Sequence, residues 1–386
     1  MSQPKDFGFR EDETLLRDSV RKFLSDNAPI DRVRQVVARD HDEAYQSEIQ
    51  PAAYDEALWR QMVDLGWTSL AVPESAGGAG MKMVAVAAIA EEAGRAALVS
   101  PLIATLSATC VLREADTCAA KTWLEKIVGG QAATLAITDA NGSWEPGDTN
   151  VAAKSEGTDT ILDGTAHFVQ DARKVAFFVV AARSNEGVGL YAVRADAPGL
   201  TIHPDQIVDL TRDQARIELR DVHVPSSDVL AAPGNGEESL ARALPALLTI
   251  VSADLCGAGE WQLRTTVEYA KVRTQFDRPL GFFQAVKHPL VNMMIAIDRA
   301  KSLVYNAACA IDSEPAAAER AARMAKSSAS DMAAFCSGRS VQLHGGIGFT
   351  WECDVHIYFK RQKHNQMLYG DGAYQRGKLA GLVSGS

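Results

Sequence analysis

The chain has 386 residues, 47% of them hydrophobic and 23% charged, with a formal net charge of −10. That length exceeds what one core usually serves, and that hydrophobic share excludes a disordered chain. The negative balance excludes a general nucleic-acid binder, so any anionic ligand must meet a local basic cluster.

Residues 1–10 have no apolar core of leader length. Helical periodicity follows. In 11–27, Leu15, Leu16, Val20, Phe23 and Leu24 share one face, and in 52–65, Tyr54, Leu58, Met62 and Leu65 recur at four and three before Gly66. The Ala-rich run 84–98 is again helical. The most apolar stretch, 83–112, contains Glu91, Glu92 and Arg95, so it does not read as a membrane span. Residues 1–130 are therefore expected to form a helical domain.

Residues 131–234 change character. Short β-rich runs at 133–138, 160–162, 166–169, 175–182, 189–194, 200–203 and 215–219 are separated by breakers such as Asp163-Gly164 and Pro198-Gly199. This spacing predicts an antiparallel β-barrel or sandwich. Residues 235–386 return to long helical patterns over 238–272, 283–312 and 315–343, joined by short connections, which predicts a four-helix bundle. The fold class expected is α+β multidomain, in the order helical, β, helical. Six cysteines, at 110, 118, 256, 309, 336 and 353, make no Cys-x-x-Cys pair and no metal spacing. They predict a reduced, cytoplasmic protein without a metal, and neither a membrane nor nucleic acid is an expected partner.

No dinucleotide fingerprint, phosphate-binding loop or nucleophile elbow is present. His288, His344 and His356 share no metal spacing and read as structural. Two segments carry candidate chemistry. Arg273-Thr-Gln275-Phe276 with Gly281-Phe-Phe-Gln284 sets an Arg and two Gln beside aromatics between two helices. It suits either a diphosphate grip or an ordinary polar connection. Gln342-Leu-His-Gly345-Gly346-Ile-Gly-Phe-Thr350 offers close backbone approach to a ligand, or simply a helix end.

In this order and layout, the two segments resemble the acyl-CoA dehydrogenase family. Residues 65–80, Asp209-Leu-Thr-Arg with Val222-His-Val-Pro225, and 350–361 add three further fragments in register, so the resemblance runs along nearly the whole chain. It implies FAD, bound between the β-domain and the bundle and across a subunit interface. By the same resemblance Arg273, Gln275, Phe276 and Gln284 hold the adenine-dinucleotide side. Gln342, Gly345 and Gly346 line the diphosphate from the neighbouring subunit. Thr138, Phe168 and Gln170 stand where the family places its flavin contacts, although its Gly-Ser-Asp element is altered here. Arg212 and Arg242 are candidates for CoA phosphates.

The resemblance also implies oxidation of an acyl-CoA to the 2,3-enoyl-CoA, with electrons passed to an electron-transferring flavoprotein. That reaction needs a desolvated carboxylate base. An ungapped alignment puts Gly370 where the family carries its Glu. Asp371, one residue on, is the remaining candidate, but its side chain reaches about 1.5 Å less far, and it also suits a helix N-cap. The family's alternative base position falls near Leu247, in a stretch without a carboxylate until Asp254. The chain thus resembles a member lacking the usual Glu. Three readings stay open: an active homo-oligomer (dimer or tetramer), a subunit paired with a base-carrying homologue, as in members acting on steroid side-chain thioesters, or a flavoprotein or binding protein with another role.

Overall fold

A computed structural model describes residues 10–37 and 52–384. The leader reading therefore falls almost wholly outside the described residues. Acidic residues Glu11, Asp12 and Glu13 open α1 (Glu11–Asn27) against the helix dipole, and Val20 and Leu24 turn inward. After α2 (Ile30–Val37), α3 (Glu56–Asp64) starts at Asp55, whose carboxylate accepts from the Leu58 backbone N–H at 2.9 Å. Next come α4 (Met83–Arg95), α5 (Leu102–Ala115) and α6 (Cys118–Val128).

The strands are β1 (Ala133–Ala136), β2 (Asn150–Glu156), β3 (Asp159–Gln170), β4 (Phe177–Ser184), β5 (Gly187–Arg194), β6 (Leu200–Pro204), β7 (Gln214–Pro225) and β8 (Val229–Ala231). They form one eight-stranded sheet in the order β6-β7-β3-β2-β4-β5-β8, with β1 beside β4. Most pairings are antiparallel, as expected, but β1–β4 and β2–β4 are parallel, so the sheet is mixed. The supposed break at Asp163-Gly164 is a bulge inside the single strand β3, not a turn between two strands.

Beyond the sheet, α7 (Gly236–Val272) leads through a small hairpin, β9 (Thr274–Gln275) and β10 (Arg278–Pro279), to α8 (Gln284–Ser313). Then follow α9 (Pro315–His344), α10 (Val355–Met367) and α11 (Gly372–Ser384). Helices α7, α8 and α9 pack on one another, and α10 and α11 lie on α9. By length and composition α7 is apolar enough to cross a membrane, yet 83% of its apolar window is buried inside the protein.

One hydrophobic cluster runs through the N-terminal helices, one face of the sheet and the C-terminal helices. Helices α4 and α7 meet backbone to backbone. A Cβ on Gly94 would stand 2.0 Å from the Asp254 carbonyl oxygen, and one on Gly257 would stand 1.7 Å from that of Glu91. Only glycine permits this approach, and it sets the height of Asp254 on α7.

Candidate functional site

The sheet, α5, α7 and the turn between α10 and α11 line a narrow pocket. Ile103, Ala104 and Ser107 of α5 line one wall, and Thr138, Phe168 and Gln170 line another. The bulge between Ala166 and Val169 aims Phe168 into it. Phe168 is left-handed, with φ +55, a strained conformation of the kind that clusters at functional sites. Gln170 is held from behind. Its amide nitrogen donates to the Phe168 carbonyl at 3.0 Å and to Gln214 Oε1 at 2.9 Å, and its oxygen lies 2.6 Å from His364 Nε2. Thr138 is buried and bridges to His167 through the backbone.

Only one side chain of the turn 369–371 lines the pocket, and it is that of Tyr369. Its ring meets Trp144 edge to face at 5.1 Å, and burial raises its phenol to about 12 despite Ser107 alongside. Gly370 turns away, with φ +86, and a Cβ there would stand 2.1 Å from the Tyr374 ring. The Tyr374 hydroxyl donates to Glu145, which Lys378 pairs with at 2.5 Å, so that ring is fixed. Asp371 occupies a cap: its Oδ1 accepts from the Tyr374 backbone N–H at 2.9 Å at the start of α11.

The carboxylates nearest the pocket are already engaged. Asp171 lines it, and the buried Lys174 pairs with Asp171 at 2.9 Å. Asp254 is fully buried. It accepts from Arg361 at 3.0 and 2.6 Å, from Arg212 at 2.8 Å and from Asn365 at 2.7 Å. Burial opposes its ionisation, but the two guanidiniums win and hold it below the usual carboxylate range. Arg212, expected as a phosphate contact, is buried and paired with Asp254, and it also lines the pocket. Arg242 is half-exposed but tied to Glu238 at 2.6 Å and to Glu114 at 3.4 Å.

The remaining predicted residues gather elsewhere, and none lines this pocket. Tyr269 near the end of α7 stacks on His344 at the end of α9, ring centroids 4.3 Å apart. That contact brings the β9–β10 hairpin and the Gly345 turn to one end of the bundle. The hairpin reverses through Phe276 and Asp277, both with positive φ, +53 and +56, as a two-residue primed turn requires. Phe276 is thereby thrust outward, 86% exposed. Arg273 and Gln275 are exposed beside it, and Gln284 opens α8. Gln342 is exposed in the last turn of α9, and no atom lies within 4 Å of where a Cβ on Gly345 or Gly346 would stand.

The two groups differ in the chemistry they suit. Arg273 and the bare Gly345-Gly346 backbone suit a diphosphate. Phe168, with Thr138 and Gln170, suits a flat ring. Sequence reasoning missed Tyr369 as the pocket-facing residue, because a left-handed backbone at φ +57 leaves no local signal in a non-glycine residue. It also missed the Asp254–Arg361 pair, although an Asp inside a long apolar run was the available clue.

Two family models match the chain: "Acyl-CoA dehydrogenase, N-terminal domain" over residues 10–131 and "Acyl-CoA dehydrogenase, C-terminal domain" over residues 248–382. The chain is 31% identical to "Acyl-CoA dehydrogenase IpdE2" of Mycobacterium tuberculosis, across 93% of each chain. Among solved structures it resembles a variant of the Tcur3481-Tcur3483 steroid ACAD with a TM-score of 0.85 and 29% identity, across 97% of this chain and 98% of that one. It also shares its fold with a chain of the ChsE4-ChsE5 complex from Mycobacterium tuberculosis, with a TM-score of 0.86, 24% identity, and 98% and 99% coverage.

Proposed function

The chain belongs to the acyl-CoA dehydrogenase family of FAD-dependent CH–CH oxidoreductases, and on that premise we propose that it works as one subunit of a hetero-oligomer whose other subunit carries the catalytic base. The reaction served is conversion of an acyl-CoA to its 2,3-enoyl-CoA, with electrons passed on to an electron-transferring flavoprotein. One observation carries the reading. The pocket-facing residue of the turn is a tyrosine, and the one carboxylate lining the pocket among the described residues is paired with Lys174. A phenol raised by burial is a poor base at neutral pH. Bound FAD supplies the acceptor for the β-hydrogen as hydride. This chain's residues orient and enclose: Phe168 and Gln170 frame the ring site, and Arg273 with the Gly345 turn extends toward a neighbouring subunit. The description of the 29%-identical structure as a steroid ACAD supports a bulky polycyclic acyl-CoA as the first substrate to try.

The test is expression alone and together with a base-carrying homologue from the same genome, assayed with an artificial electron acceptor. The complex is expected to turn over, and the single chain to be slower by at least the 10²- to 10⁴-fold that a positioned base typically contributes. Equal turnover by the single chain overturns the reading.

A further inference from the structure

Lys326 lies on α9, fully buried, and makes three short contacts. Its Nζ donates to the Gln366 carbonyl at 2.8 Å, to the Gly370 carbonyl at 3.0 Å and to Ser330 Oγ at 3.0 Å. The two carbonyls bracket residues 367–369, the very segment that presents Tyr369 to the pocket. Two further contacts from α9 act on the same turn. Ser327 donates to the Gly372 carbonyl at 3.3 Å, and Arg323 holds Gln375, which donates to the Tyr369 carbonyl at 2.5 Å. Lys326 differs from these partners in that its donor can change charge.

We propose that Lys326 is a positioning residue for the pocket, holding Tyr369 against Trp144 through the Gln366 and Gly370 carbonyls, and that its protonation sets how tightly the turn is held. As an ammonium it has three N–H donors for three acceptors, and its bonds to both carbonyls are charge-assisted. As an amine it has two donors and a lone pair. The Ser330 hydroxyl can then turn to donate to that lone pair, so both carbonyls stay bonded and the site no longer carries a buried, desolvated charge. Burial lowers this lysine to about 7, with Asp371 alone acting to keep it charged. The other ionisable groups on its surroundings are engaged elsewhere: Arg323 with Glu319, Arg376 with Asp331, and Arg361 with Asp254. No charged group on α7 or α8 acts on it among the described residues. The inference concerns the turn itself and holds whether or not this chain supplies a base.

Amide hydrogen exchange of the full chain, read on a peptide covering 366–372 and corrected for the intrinsic rate, tests it. Protection in the wild type is expected to rise about tenfold between about pH 6 and about pH 8.5, because opening the turn lets a charged Lys326 reach water and a neutral one gains little from it. Lys326→Met removes the step and leaves protection low at both ends. Asp371→Asn, which still caps α11, moves the midpoint to lower pH. The Asp371→Asn result does not depend on Lys326→Met folding. A pH-independent profile in the wild type overturns the proposal, as does full high-pH protection in Lys326→Met or an unmoved midpoint in Asp371→Asn.

Discussion

The interior pocket and the outer end of the bundle hold two halves of one predicted cofactor site, and they are built on opposite plans. At the pocket, polar side chains are bound to one another: Gln170 to His364 and Gln214, Asp171 to Lys174, Asp254 to two arginines. At the bundle end, Arg273, Gln275 and Phe276 stand exposed, and the Gly345-Gly346 backbone is bare. The pocket half is mostly paired within a single chain, with Arg212 Nε left without a hydrogen-bond partner. The outer half waits for something to cover it, which is how a site divided between subunits is expected to look.

Damage at the pocket wall should therefore cost stability, and damage at the bundle end should cost ligand. The largest effect is expected from Asp254→Asn, which strands two buried guanidiniums. Chemical unfolding should show a loss of about 3–5 kcal/mol. Arg273→Ala should leave unfolding within about 0.5 kcal/mol of wild type. It should weaken FAD retention by about 10- to 150-fold, measured by flavin fluorescence on the assembled protein, since a hydrogen bond to a charged group is worth about 1.5–3 kcal/mol. A large stability loss in Arg273→Ala would erase the contrast between the two regions.

Position 370 sharpens it further. Gly370→Glu forces a side chain into the Tyr374 ring on a left-handed backbone, at a cost of about 1–3 kcal/mol, and should add no turnover. Tyr369→Glu, which aims a carboxylate into the pocket, is the substitution expected to raise single-chain turnover with an acyl-CoA. The reverse result would mean that position 370, not 369, faces the acyl chain. The smallest effect is a slope. Lys326 is lowered to about 7 in the folded chain, whereas a free lysine titrates near 10.5. Between those values the unfolded chain binds the extra proton, so stability rises with pH, and below about 7 both states are protonated and the slope vanishes. Unfolding free energies from denaturant titrations across that window should rise less steeply in Lys326→Met, by at most about 1.4 kcal/mol per pH unit.

The layout of helices, strands and helices was readable because periodicity is local. The patterns at 238–272, 283–312 and 315–343 became α7, α8 and α9 with little change at their ends. Strand β2 was missed because its sequence, Asn-Val-Ala-Ala-Lys-Ser-Glu, buries only Val151 and Ala153 and so carries little apolar alternation. The parallel partners of β4 were not readable either, since pairing direction is decided by chain path. At the site, residue types were legible and their aim was not. Phe168 and Tyr369 both face the pocket by way of a positive φ, and Asp371 is turned into a cap by the helix that follows it. Such directions come from tertiary packing.

The crossing of Gly94 over Gly257 bears on how this pocket can change. Helices in backbone contact have no slack with which to slide apart, so a wider or narrower cavity cannot be reached by shifting α4 against α7. Freedom to accept a new ligand is concentrated in the few side chains that end in empty space. A substitution library confined to Ile103, Ala104, Val251 and Leu368 would sample most of it.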